Sequence, residues 1–239
     1  MSYSIADLKE KLDPKNIENC EYSKYFDELA SMLMNHFVIV KGNDKYELVE
    51  IEFYLFTPEH QDVITYPRKI VESHNPNSGK KEEKLLPMEA GQWFFHQSGV
   101  DITFKCDETR FGGILIRGIR KCSADSKTIL GPMKCVDELW DNFSAFSPKS
   151  KDIPRIEEAI GEYKKNDIKC YKRWIPVKTE DCDKRLSKWI DNLKKYNLSI
   201  SNQDPTELVF NAQYRYIKDG TDMTKYPAKP KEYNNNIKS

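Results

Sequence analysis

No stretch of this sequence approaches the ~20 consecutive apolar residues that a membrane-crossing helix requires. The opening residues, Met1 to Asp7, carry neither the basic nor the apolar segment of a secretory leader. A cytoplasmic or nucleoid-associated protein with no membrane partner is therefore expected. Histidine is scarce: His36, His60, His74 and His96 are the whole set, and no two stand at ligand spacing. The cysteines at 20, 106, 122, 135, 170 and 182 form no Cys-x-x-Cys pair. That scatter speaks against a zinc cage or a redox motif and for free structural thiols. No metal site is expected. A Gly-x-Gly-x-x-Gly fingerprint, a P-loop and a serine or cysteine nucleophile motif are all missing, as is any internal repeat.

What the chain does have is rings and charge. Aromatic residues make up 12% and charged residues 32%. A chain so rich in rings has apolar surface to bury, which argues against disorder. Its 239 residues are within reach of a single domain. The net charge of zero hides a polarity: residues 1–62 hold 13 acidic and 6 basic side chains, and the rest carries the compensating positive excess. A basic excess of that kind suits an anionic partner, and equally suits two solvated surfaces.

Apolar spacing sketches a mixed fold. A short helical signal lies at Ile5 to Leu12. Phe26, Leu29, Met32 and Leu33 recur at three- and four-residue steps, predicting an amphipathic helix over about 25–34. Phe37 to Val40 and Tyr46 to Phe56 flank a Gly42-Asn43 turn and read as an antiparallel hairpin. Residues 57–90, with four prolines, read as loop. Strands are expected at 93–95, 102–104, 113–117 and 208–217. Helices are expected at 135–143, 153–163 and around 186–196. Short connections favour an α+β fold: a curved, mainly antiparallel sheet or partly open barrel with flanking helices. The expected core spans roughly 25–140 plus 208–217, with a helical insertion near 145–205.

Three segments bear on chemistry. Along a strand alternate residues share a face, so Leu48, Glu50, Glu52, Tyr54 and Phe56 oppose the wholly apolar Val49, Ile51, Phe53 and Leu55. Carboxylates interleaved with rings are candidate acids or bases; the same pattern also fits a solvated strand face. Gly113-Ile114-Leu115-Ile116-Arg117 ends an apolar strand in a guanidinium that can meet a carboxylate or phosphate, or can snorkel to solvent. Trp93-Phe94-Phe95-His96 gathers rings suited to stacking on a nucleobase, or to core packing.

In order, these pieces resemble the alkyladenine (3-methyladenine) DNA glycosylase family. Val49-Glu50-Ile51-Glu52-Phe53-Tyr54 is similar to its Val-Glu-Thr-Glu-Ala-Tyr motif. Gly91 to His96 resembles its Gly-Thr-Leu-Tyr-Val-Tyr strand, and Gly113 to Arg117 its Val-Leu-Leu-Arg strand. Gly131-Pro132-Met133-Lys134 resembles its Gly-Pro-Gly-Lys helix start, and Tyr214 to Ile217 its terminal strand. The family's His-Ser-Arg cluster has its nearest counterpart at Glu59-His60-Gln61, and its aromatic wedge is not recognisable in 97–104. The resemblance implies a monofunctional DNA N-glycosylase that flips a damaged or modified purine out of the duplex. Glu52 would be the general base and Arg117 would orient the water. Tyr54, His96 and Phe95 would hold the base, and Arg68 and Lys134 would contact nucleic acid. DNA is the implied partner, with no metal or organic cofactor. A binding module that reads a base without cleaving is the alternative, and an interaction protein unrelated to nucleic acid is a third reading.

Overall fold

The computed structural model describes residues 3–17, 21–72, 82–123, 126–141, 153–159, 167–173, 175, 181–196, 198–200 and 205–223. Its centre is an antiparallel sheet, curled into a half-barrel and flanked by helices. After the short helix α1 (Ile5–Lys11), helix α2 (Tyr22–His36) buries Phe26, Leu29, Ala30 and Leu33. It runs directly into β1 (Phe37–Lys41). The turn to β2 (Asp44–Phe56) closes with Lys41 opposite Asp44. Gly42 takes φ +58° there, a conformation open to glycine at little cost.

β2 is the spine of the fold. β1 pairs with it on one side over residues 44–46, β11 (Arg215–Lys218) joins further along, and β7 (Phe111–Lys121) runs its whole length. Beyond β7 come β6 (Gly99–Thr103) and β5 (Trp93–His96); β8 (Thr128–Leu130) covers the far part of β7. Helix α3 (Pro132–Leu139) follows β8, with proline in its first turn, where a missing N–H costs nothing.

Two cores result. α2 packs on the apolar face of the sheet, with Phe26 stacked on Phe53 at 4.6 Å. A second cluster joins Phe56, Val63, Phe111 and Val209 to Leu186 and Leu193 of helix α4 (Cys182–Lys194). Phe56 stacks on Phe111 at 5.0 Å.

Several expectations are corrected. Leu48 does not share the carboxylate face: it packs in the main core with Ile51 and Phe53. The cause is a pair of bulges. Val49 has no partner between the Leu48–Ile119 and Glu50–Gly118 pairs, and Arg117 has none between Glu50–Gly118 and Ile51–Ile116. Each extra residue breaks the two-residue alternation.

The stretch 57–90 holds a hairpin, β3 (Lys69–Glu72) with β4 (Glu82–Leu85). Residues 155–158 form strand β9, not helix, because the open edge of β1 pairs with them; pairing overrides local preference. The last strand is shorter than 208–217, since Glu207–Asn211 wind into a π-helical turn that seats Val209 in the second core. The region near 145–205 is also not purely helical. It supplies β9 and β10 (Ile168–Tyr171), the latter paired with β11. The end of the expected 135–143 helix and residues 160–163 lie outside the described residues. No helix among the described residues is long and apolar enough to cross a membrane.

Candidate active site

The face of β2 opposite α2 carries Glu50, Glu52 and Tyr54, and the two carboxylates have no exposed surface. A buried carboxylate is costly unless paired, and here two arginines supply the pairing. Arg117 donates through Nε to Glu50 Oε1 at 3.0 Å and through Nη1 to Glu52 Oε2 at 3.1 Å. Arg215, which β11 places opposite Glu52, donates through Nε to Glu50 Oε1 at 2.7 Å. Tyr54 completes the set by donating its hydroxyl to Glu52 Oε2 at 2.7 Å. Burial, reinforced by the charge of Glu52, raises the Tyr54 phenol well above its ordinary value, so it stays a donor.

A cavity of about 330 Å³ opens on this cluster. Tyr54, Arg117, Asp101 and Leu115 line it from the sheet, Ile64 to Tyr66 from the loop after β2, and His96 to Ser98 from the β5–β6 turn. Arg185 and Trp189 of α4 contribute to its wall. Its size is at the low end of small-molecule pockets, about 300–1,000 Å³.

His96 is held by both nitrogens. The Ser98 amide donates to Nδ1 at 3.2 Å, which requires a lone pair there and puts the ring proton on Nε2, 3.0 Å from Asp101 Oδ1. With its edge so occupied, the ring offers its face, and Tyr66 stacks on it at 5.3 Å. Burial raises the Asp101 carboxyl above its ordinary value, partly opposed by His96 and aided by the charge of Glu52. Gly113 makes room for that carboxylate: a Cβ there would lie 2.6 Å from Asp101 Cβ.

Behind Tyr54 lies a second buried ion pair. The Arg173 guanidinium clasps both oxygens of Asp62, reaches the carbonyls of Phe53 and Leu208, and sits 4.8 Å over the Tyr54 ring. His60 is buried next to it. Its Nδ1 is 2.8 Å from the Leu55 carbonyl, so that nitrogen donates and Nε2 accepts from the Tyr214 hydroxyl at 2.9 Å. Burial lowers its pKa, consistent with a neutral ring.

The structure thus brings Glu52, Tyr54, Arg117 and His96 together. Phe95 is elsewhere: strand alternation turns it to the other face of β5, half-exposed against Trp140. Arg68 is exposed on the loop before β3, and Lys134 is exposed on α3 beside a separate depression with Lys127 and Glu138. Sequence reasoning missed Asp101, Arg215, Thr65, Tyr66 and the Asp62–Arg173 pair. One signal existed for Asp101: a single acid inside the otherwise apolar Gly99-Val100-Asp101-Ile102 strand. Among the described residues, no group of three or more His, Cys, Asp or Glu is arranged to hold a metal ion.

No known family profile matches the chain, and neither does any solved structure. A segment of it is 29% identical over 151 residues to an uncharacterized protein of Acanthamoeba polyphaga mimivirus. The match covers 57% of this chain and 62% of the viral protein.

Proposed function

We propose that the cavity receives a damaged or modified purine extruded from DNA and that the protein hydrolyses its N-glycosidic bond. One observation carries this reading: Glu52 is tied at once to Tyr54 and Arg117, two residues that line the cavity. A carboxylate fixed beneath an aromatic slot would take a proton from water once the side chains above it shift to admit one. The water oxygen would bond to C1′ of the sugar as the C1′–N bond breaks with its electron pair going to the base. The water proton passes to Glu52, and the departing base takes one from solvent. Tyr54 and the His96–Tyr66 stack supply flat surfaces for the base. Arg68 and Lys134, both exposed, are the proposed contacts to the DNA backbone.

A second reading is favoured by the complete burial of Glu52. The same cavity could bind a modified base without cleaving, because no water reaches that carboxylate unless the side chains above it shift. One experiment separates the two: incubate the protein and its Glu52→Gln variant with duplex and single-stranded DNA carrying a panel of lesions, then score alkali-labile sites. Release by the parent and its loss in the variant support hydrolysis. Salt-sensitive binding with no release supports the reader. Equal release by both variants removes Glu52 from the mechanism.

A further inference from the structure

Of the polar side chains on the cavity wall that the proposed hydrolysis does not use, Asp101 and Thr65 are the two that are buried. Asp101 is 5% exposed, and its partner among the described residues is His96, which takes Oδ1. Its Oδ2 meets no donor from those residues, yet the side chain lines the cavity. Thr65 lines the same cavity, is 3% exposed, and its hydroxyl has no hydrogen-bond partner among the described residues. A buried polar group left unmet is costly, and a bound ligand is one way to meet it. Around these two points the wall mixes apolar and aromatic side chains, among them Ile64, Leu115, Trp189 and the ring of Tyr54, with the polar Gln97, Arg117 and Arg185.

An ionised carboxylate only accepts, and its two oxygens together suit a pair of adjacent donors. Uracil and thymine flank their ring N–H with carbonyls, which a carboxylate repels. Adenine and cytosine set their amino group next to an acceptor nitrogen. The guanine edge alone presents a ring N–H beside an exocyclic amino group. We infer that the pocket selects a guanine-type edge, Asp101 accepting from one donor through Oδ2 and from the other through the second lone pair of the Oδ1 that already accepts from His96, with the Thr65 hydroxyl donating to an acceptor on the same ring. This rests on the reading of the cavity as a base pocket and narrows its substrate class to purines that keep that edge, whatever they carry elsewhere.

The test uses the full chain and free nucleosides, followed by quenching of tryptophan fluorescence and by calorimetry. Guanosine should bind roughly 10- to 100-fold tighter than inosine, which lacks only the exocyclic amino group, as expected for a hydrogen bond to a charged acceptor. Adenosine should bind more weakly still. Asp101→Asn should erase the preference for guanosine over inosine. Thr65→Val, nearly the same shape, should weaken guanosine and inosine alike by several fold. Equal binding of guanosine and inosine by the parent overturns the guanine assignment and leaves the base pocket standing. Binding of no nucleoside at all overturns both. The guanosine–inosine comparison needs no variant, so a folding defect in Asp101→Asn does not blunt it.

Discussion

Glu52 and Asp101 both pair with Leu115, from opposite sides of β7. Their carboxylates therefore share one face of the sheet two strand spacings apart, roughly 9 to 10 Å between Cα atoms. They are not equivalent. Glu52 is enclosed by Tyr54, Arg117 and Arg215, whereas Asp101 lines the cavity. On the proposed reading the first would serve chemistry beneath the base and the second recognition at its edge.

Tyr54→Phe separates these roles from within the site. The ring that borders the cavity is kept, and the hydroxyl that donates to Glu52 is lost. For the proposed hydrolysis, kcat should fall about 10- to 100-fold, the worth of a hydrogen bond to a charged group, while KM changes little. Steady-state kinetics on a cleaved lesion decide it; a change confined to KM would show that the hydroxyl serves binding.

Gly113→Ala should damage both fold and pocket. The new Cβ would lie 2.6 Å from Asp101 Cβ, with Asp101 Oδ2 at 2.7 Å. Overpacking of this kind costs about 1–3 kcal/mol, read as a lower urea midpoint. Nucleoside binding should weaken as well, because Asp101 must move.

How much of this was legible in the sequence follows from where the strand alternation is regular. Between Glu50 and Tyr54 it is unbroken, so the common face of Glu50, Glu52 and Tyr54 could be read directly. The bulges at Val49 and Arg117 leave no mark in composition, so simple alternation puts Leu48 on the carboxylate face, where the structure does not. Arg155 to Glu158 look as much helical as extended; only the open edge of β1, over a hundred residues earlier, makes them a strand. Arg215 and Arg173 reach the site through pairings just as distant, and short-range spacing holds no trace of them.

The Asp62–Arg173 pair should be costly to halve. Arg173→Met leaves a buried carboxylate uncompensated, and a loss of about 3–5 kcal/mol is expected in urea unfolding. The double variant Asp62→Leu with Arg173→Met should be more stable than Arg173→Met alone, since no charge is then stranded. Its Tyr54 ring would still lack the cation that sits over it.

His60 sets a direction for pH. Its folded pKa lies below the ordinary 6.5, chiefly through burial. Below 6.5 the unfolded chain therefore binds a proton that the folded chain refuses, and stability falls as pH drops from there through the folded value. Asp101, raised by burial, works the other way: it favours the folded state at low pH and loses that contribution as pH rises through its folded value. The contribution of His60 is isolated by comparing parent and His60→Gln in urea between pH 7.5 and 5. The variant should show the shallower decline; parallel curves would refute the assignment.

The quartet of Glu50, Glu52, Arg117 and Arg215 also dictates when the molecule can be finished. As the chain leaves the ribosome, the first three residues emerge long before the fourth, and they carry one negative charge too many. Packing them away then would bury the two carboxylates without the Arg215 pairing they have in the finished fold. β11 lies between β2 and β10, so the late segment is a keystone and not an appendage. A nascent chain halted before residue 215 should remain loose and open to protease, and should become resistant once Arg215 is released to dock.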